Sequence, residues 1–341
     1  MRAAIDYRDE IPDRGSKLIP QAGHTRRLRA AASLITIAAL LSVLLFVSVP
    51  GQGLWYNVSL NASHGPIFAI VAVLVLLMRE PAERSDTLAY VNAFFVAVGL
   101  GILIEILQTM AHRPGQPFDV MTDAAGAAAG LGLWALVERR RSGAAQPAVG
   151  GPWWPLVVAL TGITLIAWHP LQAARAYAQR AAQFPTVAQF REPRDLTFVT
   201  TDGAGVAIVD LPAPWAQRAG ERALRLGFDT HRAPAVQVLE PSPDWRGYIV
   251  VAADLTNPTD EEVGLTLRIH DATHDWSHED RLNLPLVLAP RTRITVRVAL
   301  SEVQSAPASR PMDLGRIANV MLFGRPAERP GEIYVSRMWL E

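Results

Sequence analysis

Long apolar runs dominate the first half of the chain, and short alternating segments dominate the second half. Four of the runs are long enough to cross a membrane as helices, because about 20 residues span the hydrocarbon core. A shorter fifth run carries tryptophans at both ends, where aromatic residues favour the membrane surface. The runs are 31–49, a run from Ser63 or Pro66 to Met78, 88–110, 119–137 and 153–168. The pattern predicts a polytopic α-helical membrane domain with four core spans and a fifth.

Basic residues flank these runs unevenly. The loops on the other side of the membrane, 50–61 and 111–118, contain one arginine, Arg113, and no lysine. By the positive-inside rule the N-terminus is cytoplasmic, and five spans then place everything after Trp168 outside the cytoplasm. The arginines that set this orientation are Arg26, Arg27, Arg29, Arg79, Arg84, Arg139, Arg140 and Arg141.

Ionisable and amide side chains interrupt the apolar runs near their predicted outer ends. Glu105 and Gln108 lie three apart, Asp119 and Asp123 lie four apart, and His64 stands near the start of the second run. Residues at these spacings share one helix face. A carboxylate in hydrocarbon costs several kcal/mol, so it persists where it faces a polar interior. We expect the five side chains to converge on one outward-facing pocket.

The pairing of charges in this pocket is also predicted. Arg113 is the nearest basic residue to Asp119, so we expect these two to form an ion pair. Two carboxylates about 6 Å apart repel each other, so Asp123, the deeper one, is expected to share a proton. Gly126 and Gly130 form a small-xxx-small stripe for close helix packing, and Gly99 and Gly101 are candidates for the matching surface.

These positions resemble the VanZ-like family of bacterial membrane proteins, over about residues 31–137. Asp123 stands where that family usually has Asn, and Gln116 where it often has Arg. The resemblance implies a role in the cell envelope, and the founding member is linked to resistance to the glycopeptide teicoplanin. It implies no defined biochemical activity. The residues that carry it are His64, Glu105, Gln108, Asp119 and Gly126.

The second half of the chain predicts an all-β jelly-roll sandwich. Ten short alternating or apolar segments follow one another between turn-rich pieces such as EPSPDW and NPTDEE. Such regular spacing indicates an antiparallel sandwich. The predicted organisation is a cytoplasmic tail (1–30), a transmembrane domain (31–137), a cytoplasmic loop (138–152), a fifth span (153–168), a helical linker (169–194) and an extracytoplasmic sandwich (195–341).

Residues 196–341 also resemble galactose-binding-like carbohydrate-binding domains, on their strand pattern and on Asp244-Trp245, Asn257-Pro258 and Asp271. Trp276 lies among polar loop residues, where an aromatic ring can stack on a sugar. Core positions are expected for Trp245 and Tyr248. His274 and His278 are expected to be solvated loop residues rather than metal ligands. The candidate ligand-binding residues are Trp276, Asp271, His274 and, in the membrane domain, Arg113.

Composition narrows the classes of function. The formal net charge is zero, which gives no electrostatic basis for binding nucleic acid. Cysteine is absent, which excludes disulfides and cysteine-based metal sites. No motif for a cofactor or a metal is found, so neither is predicted. Membrane lipid and an envelope glycan, free or lipid-linked, are the expected partners, in the inner membrane of a bacterium.

Three functions remain open. The first is a VanZ-like envelope protein with an outer domain that recognises glycan and with a role in glycopeptide resistance or glycan handling. The second is an enzyme on a lipid-linked substrate, with Glu105 or Asp123 as general acid or base, His64 as partner and Gln108 as an orienting donor. The third is a non-enzymatic scaffold that docks an envelope protein. Polar contacts that merely hold the helices together are an alternative for the membrane residues.

Overall fold

The computed structural model describes residues 19–47, 51, 53–84, 86–110, 117–142, 153–242 and 244–341. The chain divides into two compact units, Met1–Leu171 and Gln172–Glu341. Arg113 and Gln116 lie outside the described residues, so the predicted ion pair between Arg113 and Asp119 stays a prediction.

Five helices of the described chain are long and apolar enough to cross a membrane. They are α1 (Ile19–Phe46), α2 (Leu54–Leu77), α3 (Thr87–Met110), α4 (Pro117–Ser142) and α5 (Trp154–Gln183). The predicted series of apolar helices is confirmed. Several bounds differ from the predicted ones, since α1 begins at Ile19 rather than at 31 and α2 begins at Leu54 rather than at Ser63 or Pro66. Two of the differences involve a proline that does not interrupt its helix. Pro66 lies inside α2, and α5 continues through Pro170, so the fifth span and the helix predicted after it form one helix.

Helices α2 and α4 approach each other through small residues. A Cβ on Gly126 would lie 2.1 Å from the carbonyl oxygen of Gly65, and one on Gly130 would lie 2.4 Å from that of Ala69. The glycine stripe of α4 therefore packs on α2. The expectation that Gly99 supplies the matching surface is wrong, since a Cβ there would meet nothing within 4 Å.

The second unit is a sandwich of two antiparallel sheets. Among the described residues, one sheet has the order β3-β4-β11-β6-β9, with β1 also paired to β11, and the other has the order β2-β5-β10-β7-β8. The strands are β1 (Thr186–Gln189), β2 (Val199–Asp202), β3 (Ala204–Asp210), β4 (Arg222–Phe228), β5 (Ala235–Leu239), β6 (Val250–Asn257), β7 (Val263–Asp271), β8 (Leu282–Leu288), β9 (Thr292–Ala299), β10 (Ile317–Gly324) and β11 (Gly331–Leu340). A short helix, α6 (Leu300–Ser305), follows β9. The predicted sandwich is confirmed.

Alternation along the strands builds the core between the two sheets. In β7 every second residue from Val263 to Asp271 is buried, as expected for a strand with one face on the core. Trp245 is fully buried and donates its ring N–H to the carbonyl of Ser242 at 2.8 Å. Tyr248 packs against the same core. The expected core positions of these two aromatic residues are therefore confirmed.

The last turns of α5 belong to the second unit. The hydroxyl of Tyr177 donates to a carboxylate oxygen of Glu240 at 2.5 Å, and Arg180 donates to the carbonyl of Leu239 at 3.0 Å. The Arg180 guanidinium also lies 3.5 Å from the centre of the Phe198 ring. The sandwich thus begins before residue 195, since it includes these turns and β1.

Candidate functional site

Four of the five predicted polar residues of the first unit lie together. His64 Nδ1 is 3.1 Å from Asp123 Oδ1, which joins α2 to α4. Asp119 and Glu105 are close enough to His64 to interact with it electrostatically. Each of the four is at most 8% exposed, so helices enclose them. We call this group, His64, Glu105, Asp119 and Asp123, the membrane cluster.

Glycine allows α3 to pass close to the membrane cluster. A Cβ on Gly101 would lie 2.5 Å from Asp123 Oδ2, so only glycine leaves room for that carboxylate. Asp123 Oδ2 and Asp119 Oδ1 are buried and have no hydrogen-bond partner among the described residues. Gln108, the fifth predicted residue, has its partner on another helix, because its amide donates to the carbonyl of Leu44 in α1 at 3.2 Å.

A paired histidine and aspartate in an apolar environment can hold and pass a proton. The carboxylate orients the imidazole ring and stabilises its charged form, the arrangement that many acid–base sites use. The same contact also ties two helices together, because buried polar groups in membranes find partners on neighbouring helices. The membrane cluster is therefore a candidate for proton chemistry and for helix association.

In the second unit, the loop between β7 and β8 carries the residues predicted to bind a ligand. Trp276 is 71% exposed, with a backbone φ of 69°, a left-handed conformation that costs a non-glycine residue energy. Its ring lies 5.6 Å from the His274 ring and 6.2 Å from the His270 ring. The indole is thus held out from the loop and remains a candidate surface for stacking.

Asp271 and His274 face inward. Asp271 is fully buried, and its carboxylate accepts hydrogen bonds from Arg310, from the Thr273 backbone and hydroxyl, and from the backbone N–H of Asp313. Burial raises the pKa of Asp271, but these hydrogen bonds outweigh it and bring the pKa down to about 2. Asp271 therefore organises the loop. It offers no free oxygen edge to a ligand.

The expectation that His274 is a solvated loop residue is wrong. Its side chain is 2% exposed, and Nδ1 lies 2.8 Å from the carbonyl oxygen of Asp280. A carbonyl oxygen can only accept a hydrogen bond, so Nδ1 is the donor. His274, Asp275 and Asp280 have ligand atoms within 4.8 Å of one another, as a metal site would require. Arg310 already pairs with both oxygens of Asp280 at 2.8 Å, so a cationic side chain occupies the carboxylate that a metal ion would need.

A cavity that the sequence did not predict lies on the face of the six-stranded sheet turned away from the core. Its volume is about 340 Å³. We call it the sheet-face cavity. Residues of the segment 211–221, which we call the cover loop, form one side of it, and strands β6, β9 and β11 contribute Asp254, Arg293, Ser336 and Arg337.

Local structure explains the polar floor of this cavity. Along β6, Ala253 and Leu255 belong to the core, so Asp254 between them lies on the opposite face. In β11 the pairing register shifts between Val335 and Arg337, and Val335 and Met338 both belong to the core. This bulge places two consecutive residues, Ser336 and Arg337, on the cavity side.

Ion pairs fix the inner side chains of the sheet-face cavity. Arg293 donates to both oxygens of Glu221, at 2.6 and 3.1 Å, and lies 3.6 Å from Asp254. Arg337 donates to Asp254 at 3.0 Å. The hydrogen bond from Arg293 lowers the pKa of Glu221, so this carboxylate stays ionised. The pairs hold donors and acceptors in place before any ligand arrives.

Some polar atoms of the cavity remain unused. The hydroxyl of Ser336 and Nε of Arg293 are buried without a hydrogen-bond partner among the described residues. Buried polar atoms are normally paired, so these exceptions require an explanation, and a bound polar ligand or water supplies one. A sequence signal did exist, because Asp254 interrupts the apolar strand VVAADLTN. The cover loop and the bulge gave no such signal.

Neither a scan of protein-family models nor a search of curated proteins gives a match to this chain. Among solved structures, it is similar to a family 11 carbohydrate-binding module from Clostridium thermocellum, in complex with a β-1,3-1,4-mixed-linked tetrasaccharide. The identity is 12% and the TM-score 0.31, over 42% of this chain and 88% of that chain. A module specific for non-crystalline cellulose, from family 28, is 13% identical with a TM-score of 0.31, over 46% and 94%.

An exo-β-agarase is also similar, at 12% identity and a TM-score of 0.36. The similarity covers 46% of this chain and only 24% of that enzyme. Identities and TM-scores this low transfer no ligand and no activity. The geometry of the sites is therefore what carries functional information about this chain.

Proposed function

We propose that this chain is a membrane-anchored glycan-binding protein of a bacterial cell envelope, and that the sheet-face cavity holds the saccharide. The observation that carries the proposal is the cavity itself, with fixed donors and acceptors and an unpaired hydroxyl at Ser336. Sugar hydroxyls both donate and accept hydrogen bonds, so they match a lining of arginine, carboxylate, amide and hydroxyl groups. The volume lies at the lower end of the range for small-molecule sites.

The proposal places the sandwich outside the cytoplasm, where envelope glycans lie. The support is the distribution of arginines. Arg139, Arg140 and Arg141 lie at the end of α4. If the N-terminus is cytoplasmic, the fourth crossing brings this end back to the cytoplasmic side, where arginines are favoured. One further membrane helix, α5, then leads to the sandwich. A reporter fused after Glu341 should be active in the periplasm, and activity in the cytoplasm would refute this orientation.

Glycan binding is tested with the full chain in lipid nanodiscs and a panel of bacterial envelope saccharides. Ser336→Leu replaces the unpaired hydroxyl by apolar bulk without changing the charge of the cavity, and it should abolish binding of any saccharide that the unchanged chain retains. Thr201→Leu is the matched control, because Thr201 is an exposed hydroxyl residue on β2 of the other sheet. Thermal unfolding checks that both variants fold. Equal retention by both variants would refute the assignment of the cavity.

For the first unit, we propose a VanZ-like membrane domain. The support is the spacing of His64, Glu105 and Asp119 together with their proximity in the membrane cluster. This assignment implies a link to glycopeptide resistance. Expression in a susceptible host should then raise the inhibitory concentration of teicoplanin, and Asp119→Asn should remove the effect at unchanged membrane abundance. No change on expression of the unaltered chain would contradict the link.

The membrane cluster also supports a second candidate function, acid–base catalysis on a lipid-linked substrate. The specific observation is the enclosed contact between His64 and Asp123 beside Glu105. In this role Glu105 or Asp123 exchanges the proton, and His64 is the partner. Glu105→Gln keeps the side-chain shape, so it should abolish the envelope phenotype without lowering abundance. A variant with full phenotype would leave helix association as the role of the cluster.

A further inference from the structure

The sheet-face cavity has more arginines in its lining than carboxylates to pair with them. Five arginines and two carboxylates line it. The two carboxylates, Glu221 and Asp254, are already paired with Arg293 and Arg337. The other three arginines of the lining therefore have no matching carboxylate inside the cavity. They are Arg191, Arg218 and Arg222.

Hydrogen bonds join the segments that carry these three arginines. Arg222 donates from Nη1 to the backbone carbonyl of Arg191 at 2.5 Å and from Nη2 to that of Ile208 at 3.2 Å, so the backbone fixes its guanidinium. Arg218 lies on the cover loop, which leads into Arg222 at the start of β4, and its carbonyl accepts the backbone N–H of Glu221 at 3.2 Å. The three residues therefore form one edge of the sheet-face cavity, which we call the arginine edge.

The acidic groups near the arginine edge leave much of its charge uncompensated. Asp210 lies 3.4 Å from Arg222, but its side chain is 86% exposed, so solvent weakens the pair. Asp195 accepts hydrogen bonds from the backbone N–H groups of Arg191 and Glu192. Among the described residues, the guanidinium groups of Arg191 and Arg218 form no salt bridge.

We propose that the saccharide held in the sheet-face cavity is anionic and places a carboxylate or a phosphate against the arginine edge. This rests on the proposed function and names its ligand class. Guanidinium groups bind carboxylate and phosphate through two parallel hydrogen bonds, and they shed water more readily than an ammonium group does. A neutral saccharide would use the hydroxyl and carboxylate groups of the floor and leave Arg191 and Arg218 without a counter-charge.

The test compares acidic saccharides with their neutralised forms on the full chain in nanodiscs. Uronic-acid oligosaccharides are paired with their methyl esters, and phosphorylated oligosaccharides with their phosphatase-treated forms. Neutral envelope saccharides complete the panel. We expect an acidic member to bind at least tenfold more tightly than its neutral form, and the advantage to shrink as salt is raised from low to high concentration. The two acidic series distinguish a carboxylate from a phosphate.

Arginine variants assign the effect to the edge. Arg218→Gln removes one exposed charge with little effect on folding, so it should weaken the acidic ligand several-fold and leave neutral saccharides unchanged. Arg329→Gln is the matched control, an exposed arginine paired with Glu261 outside the cavity lining. Equal binding of acidic and neutral forms would overturn the anionic ligand and leave the proposed function intact. Retention of no saccharide at all would overturn both.

Discussion

Two glycine substitutions in the membrane helices should have opposite effects on stability. A Cβ on Gly126 would lie 2.1 Å from the carbonyl oxygen of Gly65, whereas carbon atoms in good contact are about 3.5 Å or more apart. Helices α2 and α4 would have to separate by more than an ångström to admit Gly126→Ala. A Cβ on Gly99 meets nothing within 4 Å, so Gly99→Ala needs no such movement.

The magnitude follows from two terms. Replacing a helical glycine by alanine stabilises the helix by roughly 0.5–1 kcal/mol, and this gain is common to both variants. Overpacking costs about 1–3 kcal/mol and applies only to Gly126→Ala. The two variants should therefore differ by about 1–3 kcal/mol in free energy of unfolding, with Gly99→Ala the more stable.

The measurement is unfolding of the full chain in mixed micelles by titration with a denaturing detergent, followed by far-ultraviolet circular dichroism. The helical signal reports the membrane helices, and the sandwich contributes little to it. Equal midpoints for the two variants would refute the close contact between α2 and α4. A stabilised Gly126→Ala would refute it more strongly.

Three further predictions follow from buried polar contacts and from β1. Stability from Asp271 is present above its ordinary pKa of 3.8 and is lost as pH falls toward about 2, so roughly 2 kcal/mol should disappear across that window. Asp271→Asn should flatten this acid dependence of unfolding, and an unchanged slope would contradict it. Asp123→Asn keeps a hydrogen bond to His64 and should be tolerated, whereas Asp123→Ala should cost about 1–3 kcal/mol of unfolding free energy, and equal stabilities would count against the contact. A sandwich fragment that begins at Leu196 lacks β1 and should melt at a lower temperature than one that begins at Phe184, which keeps β1 but not α5; identical melting temperatures would show that β1 adds nothing.

Hydrophobic periodicity was sufficient for most of the fold. The five apolar helices and ten of the strands follow from runs that are long or that alternate, because burial depends on which face each residue occupies. Strand β1 escaped prediction because TVAQ is only four residues long and pairs with β11, some 150 positions away. Its existence depends on a contact that no local pattern encodes.

The candidate sites were predictable to a smaller extent. Helical spacing and the short connection between α3 and α4 indicated that His64, Glu105, Asp119 and Asp123 lie together. Gln108 was placed with them because it shares a face with Glu105, but its amide reaches α1, whose position depends on packing. The sheet-face cavity arises where a loop folds over a strand bulge, and neither feature has a periodic signal.

The central claim, that a saccharide lies in the sheet-face cavity, is tested most directly by backbone amide hydrogen exchange. The full chain in nanodiscs is compared with and without a saturating amount of the saccharide that binds most tightly. We predict slower exchange in residues 217–222, which comprise the end of the cover loop and the start of β4. Residues 273–280 around Trp276 should not change. Protection confined to residues 273–280 would contradict the account, because it would assign the ligand to the loop between β7 and β8.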